Sequence, residues 1–169
     1  MMPISSERPT VLVVDDEPFN LSLMDGILGQ HYNVKLADNS SKALELAFAA
    51  PPDLILLDVM MPVVDGFEIC RRLMSNPATD HVPVIFITAK NETKDEELGF
   101  SLGASDFIHK PISAPIVAAR VRAHLKIKFM QDYLRSENAK LHENVDEKSS
   151  ELQQLKDFMW GVPNQYARR

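Results

Sequence analysis

Residues 54–66 read LILLDVMMPVVDG, and this stretch carries the pattern on which the fold prediction rests. Four apolar residues, 54–57, form a run that is long enough for one strand and too short for a helix. A strand that is apolar on both faces is typical of a parallel sheet covered by helices on both sides. Asp58 closes the run, and a loop with Pro62 leads to a helix predicted to begin at Gly66. The same order of apolar run, polar residue and helix recurs along the chain.

Short apolar runs alternate with segments whose apolar residues recur at helical spacing. The predicted strands are residues 10–14, 33–37, 54–57, 84–87 and 106–109. The predicted helices are residues 19–28 with Pro18 in the first turn, 43–49 after capping residues at 39–41, 66–74, 94–102, and a long helix from beyond 113 to about 160. Strands that alternate with helices predict an α/β fold built around a parallel sheet.

Composition and charge exclude several classes of protein. The chain has 169 residues, 45% of them hydrophobic and 25% charged, which fits one folded core and argues against a disordered chain. Residues 1–119 carry 8 Lys and Arg against 17 Asp and Glu, and residues 120–169 carry 10 against 7. This distribution lacks the concentrated basic face of a nucleic-acid-binding protein, so no direct nucleic-acid partner is predicted.

Targeting signals and cysteine content indicate the compartment. No apolar run is long enough to cross a bilayer, and the N-terminus lacks the basic and apolar segments of a secretory signal. Cys70 is the one cysteine, which excludes an internal disulfide and a cysteine-based zinc site. These features fit a reducing compartment, so we expect a cytoplasmic protein without a membrane partner.

Polar side chains stand where four of the five predicted strands end. They are Asp15 and Asp16 after the first strand, Asp58 after the third, Thr88 after the fourth and Lys110 after the fifth. In a parallel sheet these ends share one edge, where α/β proteins bind ligands. Three neighbouring carboxylates repel one another unless cations offset their charge, as a lysine and a divalent ion such as Mg²⁺ would do. A carboxylate beside Mg²⁺, an ammonium and a hydroxyl can act as a nucleophile toward phosphorus.

These residues and their order resemble the receiver domain of two-component response regulators. The resemblance covers residues 9–126 and rests on Asp15-Asp16, on Asp58 followed by VMMPVVDG, on Thr88-Ala89 and on Lys110-Pro111. It implies a doubly wound, flavodoxin-like sheet with strand order 2-1-3-4-5. It also implies that Asp58 is the phosphoacceptor. A sensor histidine kinase or a phosphotransfer protein would supply the phosphoryl group.

The resemblance further implies a metal site for Mg²⁺ or Mn²⁺. Asp16 would bind the metal directly and Asp15 mostly through water. Asp58 and the backbone carbonyl of Met60 would complete the protein ligands. The predicted cofactor is therefore a hard divalent cation held by oxygen atoms.

Three other positions match residues that, in this family, stabilise the phosphoryl group or respond to its arrival. Lys110 would pair with it, Thr88 would follow it as the switch hydroxyl, and Phe107 matches the aromatic switch position. Taken alone, Thr88 fits a strand end and Phe107 fits a core residue. Met60 and Lys90 would flank the path of the attacking water and modulate the rate, or they are exposed loop residues. The Lys110–Pro111 bond is expected to be cis.

Simpler structural roles account for other features of the sequence. Asp15 and Asp16 could cap the first helix, although capping explains one acid better than two adjacent acids. Asp65 is predicted to cap the third helix, and Gly66 to ease its entry. Cys70 is expected to be an inert core residue, and all five histidines to be surface or satisfied side chains.

The long C-terminal helix carries leucine at heptad spacing. One heptad position takes Ile127, Leu134, Leu141, Lys148 and Leu155. The companion position takes His124, Gln131, Asn138, Val145, Leu152 and Met159. An asparagine such as Asn138 fixes register in parallel dimers, whereas Gln131 and Lys148 weaken the seam. We predict a parallel coiled-coil stalk over residues 127–160, continuous with the last receiver helix, that makes the chain a homodimer. A single solvated helix is the alternative.

The predicted function is that of a phosphoacceptor signalling module that is not an enzyme beyond its own phosphorylation and hydrolysis. A haloacid-dehalogenase-type phosphatase would need a second Asp two residues after the nucleophile, where Met60 stands. A degenerate receiver that serves as a dimerisation scaffold would lack an acid, the Thr or the Lys. Residues 161–169 are expected to be a frayed end or the start of a linker. The chain is then expected to be either a single-domain regulator with a dimerising stalk or the front part of a longer protein. In the second case its output domain, commonly a cyclic-dinucleotide enzyme, phosphatase or kinase in this family, would lie outside this chain.

Overall fold

The computed structural model describes residues 7–89 and 93–161. The strands are β1 (Thr10–Val14), β2 (Asn33–Ala37), β3 (Leu54–Asp58), β4 (Val84–Thr88) and β5 (Asp106–His109). The helices are α1 (Pro18–Leu28), α2 (Ser40–Ala49), α3 (Gly66–Met74), α4 (Thr93–Ser101) and α5 (Ala114–Trp160). All strand pairs are parallel, and the sheet order is β2-β1-β3-β4-β5. The predicted fold class, the strand order and the long C-terminal helix are confirmed.

Helices cover both faces of the sheet because its central strands are apolar on both sides. Alternate strand residues such as Leu12, Ile55 and Phe86 belong to one buried cluster, which includes residues of α2 and α3. The residues between them, such as Val13 and Leu56, belong to a second cluster with residues of α1 and α5. Each fully buried leucine stabilises the fold by roughly 1.5–3 kcal/mol. The two clusters hold the sheet rigid and so position its edges.

Two strands extend one residue beyond their predicted ends. Asp58 is the last residue of β3 and pairs with Ile87, and Thr88 is the last residue of β4 and pairs with His109. Both were predicted to follow their strands. Their backbones are instead fixed by the sheet itself, which gives the two side chains less freedom than loop residues would have.

The start of α3 is set by a cap and by a close backbone approach. Asp65 Oδ1 accepts a hydrogen bond of 2.9 Å from the Glu68 N–H, as predicted for a helix cap. Gly66 has a different role from the predicted flexible entry. A Cβ at this buried residue would lie 2.3 Å from the Asp58 carbonyl oxygen and 2.9 Å from Val59 Cα. Gly66 is therefore needed because the helix begins directly against the backbone of Asp58.

Cys70 is a residue of α3 whose side chain lies in the core. Its thiol is buried, and burial raises its pKa to about 11. Such a thiol stays protonated at neutral pH and is a poor nucleophile. The expectation of an inert core residue agrees with this environment.

The chain divides into two compact units, and the boundary between Lys128 and Phe129 falls inside α5. The first unit holds the sheet, α1 to α4 and the part of α5 that contributes Val117, Val121 and Leu125 to the core. The second unit is, in its described part, the single helix that continues to Trp160. None of the helices within the described ranges is long and apolar enough to span a membrane.

Candidate functional site

Three carboxylates meet at the carboxyl edge of the sheet. One oxygen each of Asp15, Asp16 and Asp58 lies within 4.8 Å of the others. Asp15 is 1% exposed and Asp58 is 2% exposed, whereas Asp16 is more open to solvent. Buried carboxylates this close are unfavourable without compensating cations and donors. The next contacts show what the chain itself supplies.

Asp15 is held by donors from the segment that leads into α1. Its backbone N–H donates to the Ala37 carbonyl at 3.1 Å. Its Oδ1 accepts from the Glu17 N–H at 2.8 Å, and its Oδ2 accepts from Asn20 Nδ2 at 3.0 Å. Glu17 is the N-cap residue of α1, and no side chain caps that helix. Neither Asp15 nor Asp16 is therefore the cap that the alternative explanation required.

Asp58 and Lys110 form the ion pair at the centre of the site. Lys110 Nζ donates to Asp58 Oδ2 at 2.9 Å, and the Met60 N–H donates to Asp58 Oδ1 at 3.0 Å. Lys110 follows β5, where its N–H donates to the Thr88 carbonyl at 2.8 Å. The Lys110–Pro111 bond is cis, as expected. The lysine thus reaches back across the sheet edge to an acid that is 52 residues earlier in the chain.

The electrostatics of the site leave negative charge uncompensated. Burial raises the pKa of Asp15, and the charge of Asp58 acts in the same direction, against the hydrogen bonds from Glu17 and Asn20 and the positive charge of Lys110. Burial alone would lower the pKa of Lys110, but its hydrogen bond to Asp58 and the nearby acids raise it overall. One ammonium faces three carboxylates. The arrangement can therefore accommodate a hard divalent cation with oxygen ligands.

The two residues of the predicted switch lie on neighbouring strands. Thr88 is buried at the end of β4 beside the backbone of Lys110. Phe107 is 5% exposed, and its ring contacts Phe86 and Phe100 with centroids 5.4 Å and 5.0 Å apart. The Phe107 ring therefore lies inward and packs in the core.

Gly99 in α4 makes room for the inward ring of Phe107. A Cβ on Gly99 would lie 2.4 Å from Phe107 Cζ and 3.2 Å from the ring of Phe86. No side chain larger than hydrogen fits there unless the Phe107 ring moves. The packing of the Phe107 ring therefore depends on the absence of a side chain at Gly99 in α4.

The predicted rate-modulating positions differ in what the structure describes. Met60 is 55% exposed on the loop after Asp58, which fits both a role beside the site and a plain loop residue. Lys90 lies outside the described residues. Their roles remain predictions.

Sequence reasoning missed three sets of contacts. Asn20 binds Asp15, and only its place in the first turn after the acidic pair could have indicated this. Asp53 accepts from the Thr10 N–H at 2.8 Å and from Lys128 Nζ at 3.2 Å. Asp106 accepts from Arg120 at 2.6 Å and lies 3.0 Å from His124 Nε2. The last two sets join α5 to the sheet, and no local pattern signals pairs so far apart in the chain.

Comparison with known proteins agrees with this geometry. Residues 11–122 match the response regulator receiver domain. The "Probable cyclic di-GMP phosphodiesterase" of Vibrio cholerae is 43% identical over 148 residues, which cover 88% of this chain and 34% of that protein. The response regulator PleD of Caulobacter vibrioides is 44% identical over 130 residues, which cover 76% of this chain and 29% of PleD. The chain thus spans about a third of the length of these two relatives.

Solved structures show the same fold. The receiver domain of the Francisella response regulator 1452 is 28% identical with a TM-score of 0.66, covering 70% of this chain and 98% of that one. The Vibrio cholerae chemotaxis protein CheY4 is 26% identical with a TM-score of 0.67, covering 69% of this chain and 98% of that one. With five parallel strands in the order 2-1-3-4-5 and the family match over residues 11–122, the chain belongs to the response regulator receiver domain family.

Proposed function

We propose that this chain is a phosphoacceptor receiver and that Asp58 carries the phosphoryl group. The observation that supports this most directly is the convergence of three carboxylates and Lys110 at one sheet edge, with Thr88 at the end of the neighbouring strand. Asp58 sits at the centre of that group and is hydrogen-bonded to both Lys110 and the Met60 N–H. Asp15 shares the burial and the acidic neighbours, but its Oδ2 lies 3.6 Å from Lys110 Nζ, against 2.9 Å for Asp58 Oδ2.

The proposed reaction transfers a phosphoryl group from a phosphohistidine to Asp58. A carboxylate oxygen of Asp58 attacks phosphorus, the P–N bond breaks, and the electron pair of that bond stays on the imidazole nitrogen. The product is an acyl phosphate. Asp58 is suited to this role because its carboxylate is fixed at both oxygens and cannot rotate away from the donor.

The neighbouring residues would stabilise the charge that develops on the phosphoryl oxygens. Lys110, now paired with Asp58, would transfer its hydrogen bond to a phosphoryl oxygen. Thr88 would donate its hydroxyl to another. Receiver domains bind Mg²⁺ at an acidic pocket, where the metal neutralises phosphoryl oxygens. In this chain Asp16 would hold it directly and Asp15 through water, with Asp58 and the Met60 carbonyl, and Mn²⁺ fits the same donors.

A direct test is phosphorylation of the full chain by acetyl phosphate with Mg²⁺. We expect one phosphoryl group per chain by intact mass, and none in Asp58→Asn. Asp65→Asn is the control, because it makes the same substitution in the loop that follows β3, outside the carboxylate cluster, and asparagine still caps α3. Equal labelling of Asp58→Asn and the parent chain would contradict the proposal.

The proposed partners follow from the reaction. The phosphodonor would be a sensor histidine kinase or a phosphotransfer protein in the cytoplasm. The chain would have no substrate to turn over, because Met60 occupies the position where an aspartyl-phosphate phosphatase carries its general acid. The scaffold alternative predicts no labelling in the acetyl phosphate experiment, so the same measurement separates it from the receiver.

We also propose that α5 from Ile127 to Trp160 is a stalk that joins two copies of the chain. The predicted seam residues are exposed on the helix: Ile127, Leu134, Asn138, Leu141, Val145, Leu152 and Leu155. Leu141, for example, is 58% exposed. A helix with half-exposed leucines at heptad spacing gains stability by burying them against a second helix. The second copy is the proposed partner.

Charges beside the seam favour a parallel dimer. One flank carries Glu137 and Glu151, and the other carries His142 and Lys156. In a parallel, in-register pair, Glu137 would face His142 of the second copy, and Glu151 would face Lys156. An antiparallel pair would place acid against acid and base against base. The flanking charges therefore agree with Asn138 in specifying the parallel orientation.

A charged substitution in the seam tests the dimer. We expect the full chain to sediment as a dimer at tens of micromolar and Leu141→Lys to sediment as a monomer. Ser136→Lys is the control, because it adds the same charge on the opposite side of the helix. A monomeric parent chain would overturn the stalk proposal, and so would a dimeric Leu141→Lys.

The proposed output lies outside this sequence. The matched residues make up 34% and 29% of the two relatives, and the 148 residues matched in the first of them exceed the 128 of the first unit. The similarity to the Vibrio cholerae protein therefore continues into the stalk. A receiver that signals through a helical stalk to a cyclic-dinucleotide enzyme is the arrangement that this supports best. The DNA downstream of the Arg169 codon would identify the output module.

A further inference from the structure

Asn20 is the polar neighbour of the site that the proposed reaction does not use. It lies in the first turn of α1, and its Nδ2 is 3.0 Å from Asp15 Oδ2 and 3.4 Å from Glu17 Oε2. Both acceptors are carboxylate oxygens, which at neutral pH only accept hydrogen bonds. The nitrogen of the carboxamide must therefore face them, and its oxygen must face away.

Asp15 Oδ2 is also within reach of the site's lysine. Lys110 Nζ lies 3.6 Å from Asp15 Oδ2 and 2.9 Å from Asp58 Oδ2. The ammonium thus has two carboxylates to choose between, and it pairs with Asp58. The Asp15 oxygen that Lys110 would otherwise take is already bound by the amide of Asn20.

We propose that Asn20 is a positioning residue that holds Asp15 away from Lys110, an inference that rests on the proposed receiver function. Its amide keeps the ammonium on Asp58, where the phosphoryl group would arrive. It also keeps the Asp15 carboxylate oriented toward the proposed metal position. The identity of residue 20 thereby sets the affinity for the divalent cation.

An amide suits this role better than a charged or apolar side chain. A lysine or arginine would bind Asp15 more strongly, but its positive charge would repel the metal ion. An aspartate would add a further negative charge and could not donate. An apolar residue would leave a 1% exposed carboxylate with one donor fewer. A neutral donor fixes Asp15 without changing the charge of the site.

The test is a Mg²⁺ titration of the full chain, followed by the backbone amide NMR shifts of Asp16 and Asp58. Loss of a residue that orients a metal ligand typically lowers metal affinity by 10–100-fold. We expect Asn20→Ala to weaken Mg²⁺ binding about 10-fold and Asn20→Gln, which keeps the amide donor, to recover part of that loss. Equal Mg²⁺ affinity in Asn20→Ala and the parent chain would overturn the proposal, as would equally weak binding by Asn20→Ala and Asn20→Gln.

The control variant and a positive control frame that titration. Asn33→Ala removes an amide that donates to Thr10 Oγ1 at 3.3 Å at the opposite edge of the sheet, and it should bind Mg²⁺ like the parent chain. Asp16→Ala should bind Mg²⁺ more weakly than Asn20→Ala. A parent chain without Mg²⁺-dependent shifts would refute the receiver proposal itself, whereas normal parent binding with an unaffected Asn20→Ala refutes only the role of Asn20.

A double-mutant cycle with Lys110→Ala tests the competition directly. If Asn20 acts by keeping Asp15 from the lysine, Asn20→Ala should change the Mg²⁺ affinity by less than about 2-fold in the Lys110→Ala background. A purely structural role would give the same loss in both backgrounds. Additive effects would therefore contradict this mechanism even if the single variant behaves as expected.

Discussion

Charged side chains make different kinds of contact in the two units of the molecule. At the sheet edge, Lys110 is 23% exposed and pairs with Asp58, which is 52 residues away in the chain. On the helix beyond Lys128, Lys140 and Lys148 pair with acids three residues away, and both lysines are mostly exposed. Exposed pairs of the second kind contribute little to stability, because solvent screens them.

The same contrast holds for apolar side chains. In the first unit, the leucines and valines of β1, β3 and β4 are buried within the chain. In the second unit, the described leucines remain more than half exposed. The first unit has thus completed its own core, and the second presents apolar surface to another helix. Adding apolar atoms should therefore have opposite effects in the two places.

The largest expected effect is in the stalk. Lys148→Leu fills the weakest layer of the proposed seam, and each dimer would bury two additional leucines. At roughly 1.5–3 kcal/mol for each buried leucine, dimer affinity should rise by about two orders of magnitude or more. Sedimentation across a concentration series measures this, and Lys140→Leu, outside the seam, should leave the affinity nearly unchanged. An unchanged dimer affinity in Lys148→Leu would contradict the proposed seam and with it the stalk.

The next effect is in the receiver core and has the opposite sign. Gly99→Ala should destabilise the fold by about 1–3 kcal/mol, because the new methyl group overlaps the ring of Phe107. Gly26→Ala is the matched control in α1, where a Cβ meets nothing within 4 Å. It should stabilise the fold by about 0.4–1 kcal/mol. Urea unfolding at equilibrium measures both, and a shift in the same direction for the two variants would show that Gly99 does not hold Phe107 inward.

The smallest effect concerns Asp106, which is less buried than Asp58 but less exposed than the acids on the stalk helix. Burial alone would raise the pKa of Asp106, but hydrogen bonds from His124, Arg120 and the Phe107 N–H outweigh it and lower the pKa below the ordinary 3.8. Asp106 therefore stabilises the fold above pH 3.8, and this contribution is lost as the pH falls through its folded-state pKa.

Asp106→Asn should accordingly lower the free energy of unfolding by about 1 kcal/mol at pH 7, since its partners are only partly shielded from solvent. The difference from the parent chain should shrink as the pH falls below 3.8. Urea unfolding at pH 7, 5 and 3 tests this, with Asp80→Asn as the exposed control. A difference that grows toward low pH would show that the sign of the pKa shift is wrong.

Sequence patterns were sufficient for the fold because its strands are local runs with a strong signal. The runs 54–57 and 84–87 are apolar on both faces, and this predicts a covered parallel sheet. The polar residues at the strand ends then meet at one edge by geometry. The cap at Asp65 was predicted because a cap involves residues only three apart.

Sequence patterns failed where the deciding contact joins distant residues. The sequence predicts that Gly66 eases the entry into α3, but the backbone of Asp58 determines the need for glycine there. By sequence Phe107 fits either a switch position or a core residue, and only the contact with Gly99 on a neighbouring helix shows the inward site that its ring occupies. Lys128 donates to Asp53, which is 75 residues away in the chain, and no sequence pattern near either residue predicts this contact.

The sequence by itself determined the α/β class, the placement of the five strands and the acids, hydroxyl and lysine at their ends, because periodicity and strand length are properties of neighbouring residues. Only the tertiary structure decided which carboxylate the lysine takes, which amide holds the other, and where the aromatic ring rests. Those choices depend on differences of less than 1 Å between competing contacts, 2.9 Å to Asp58 against 3.6 Å to Asp15. Packing of the whole sheet sets such differences, and no local pattern encodes them.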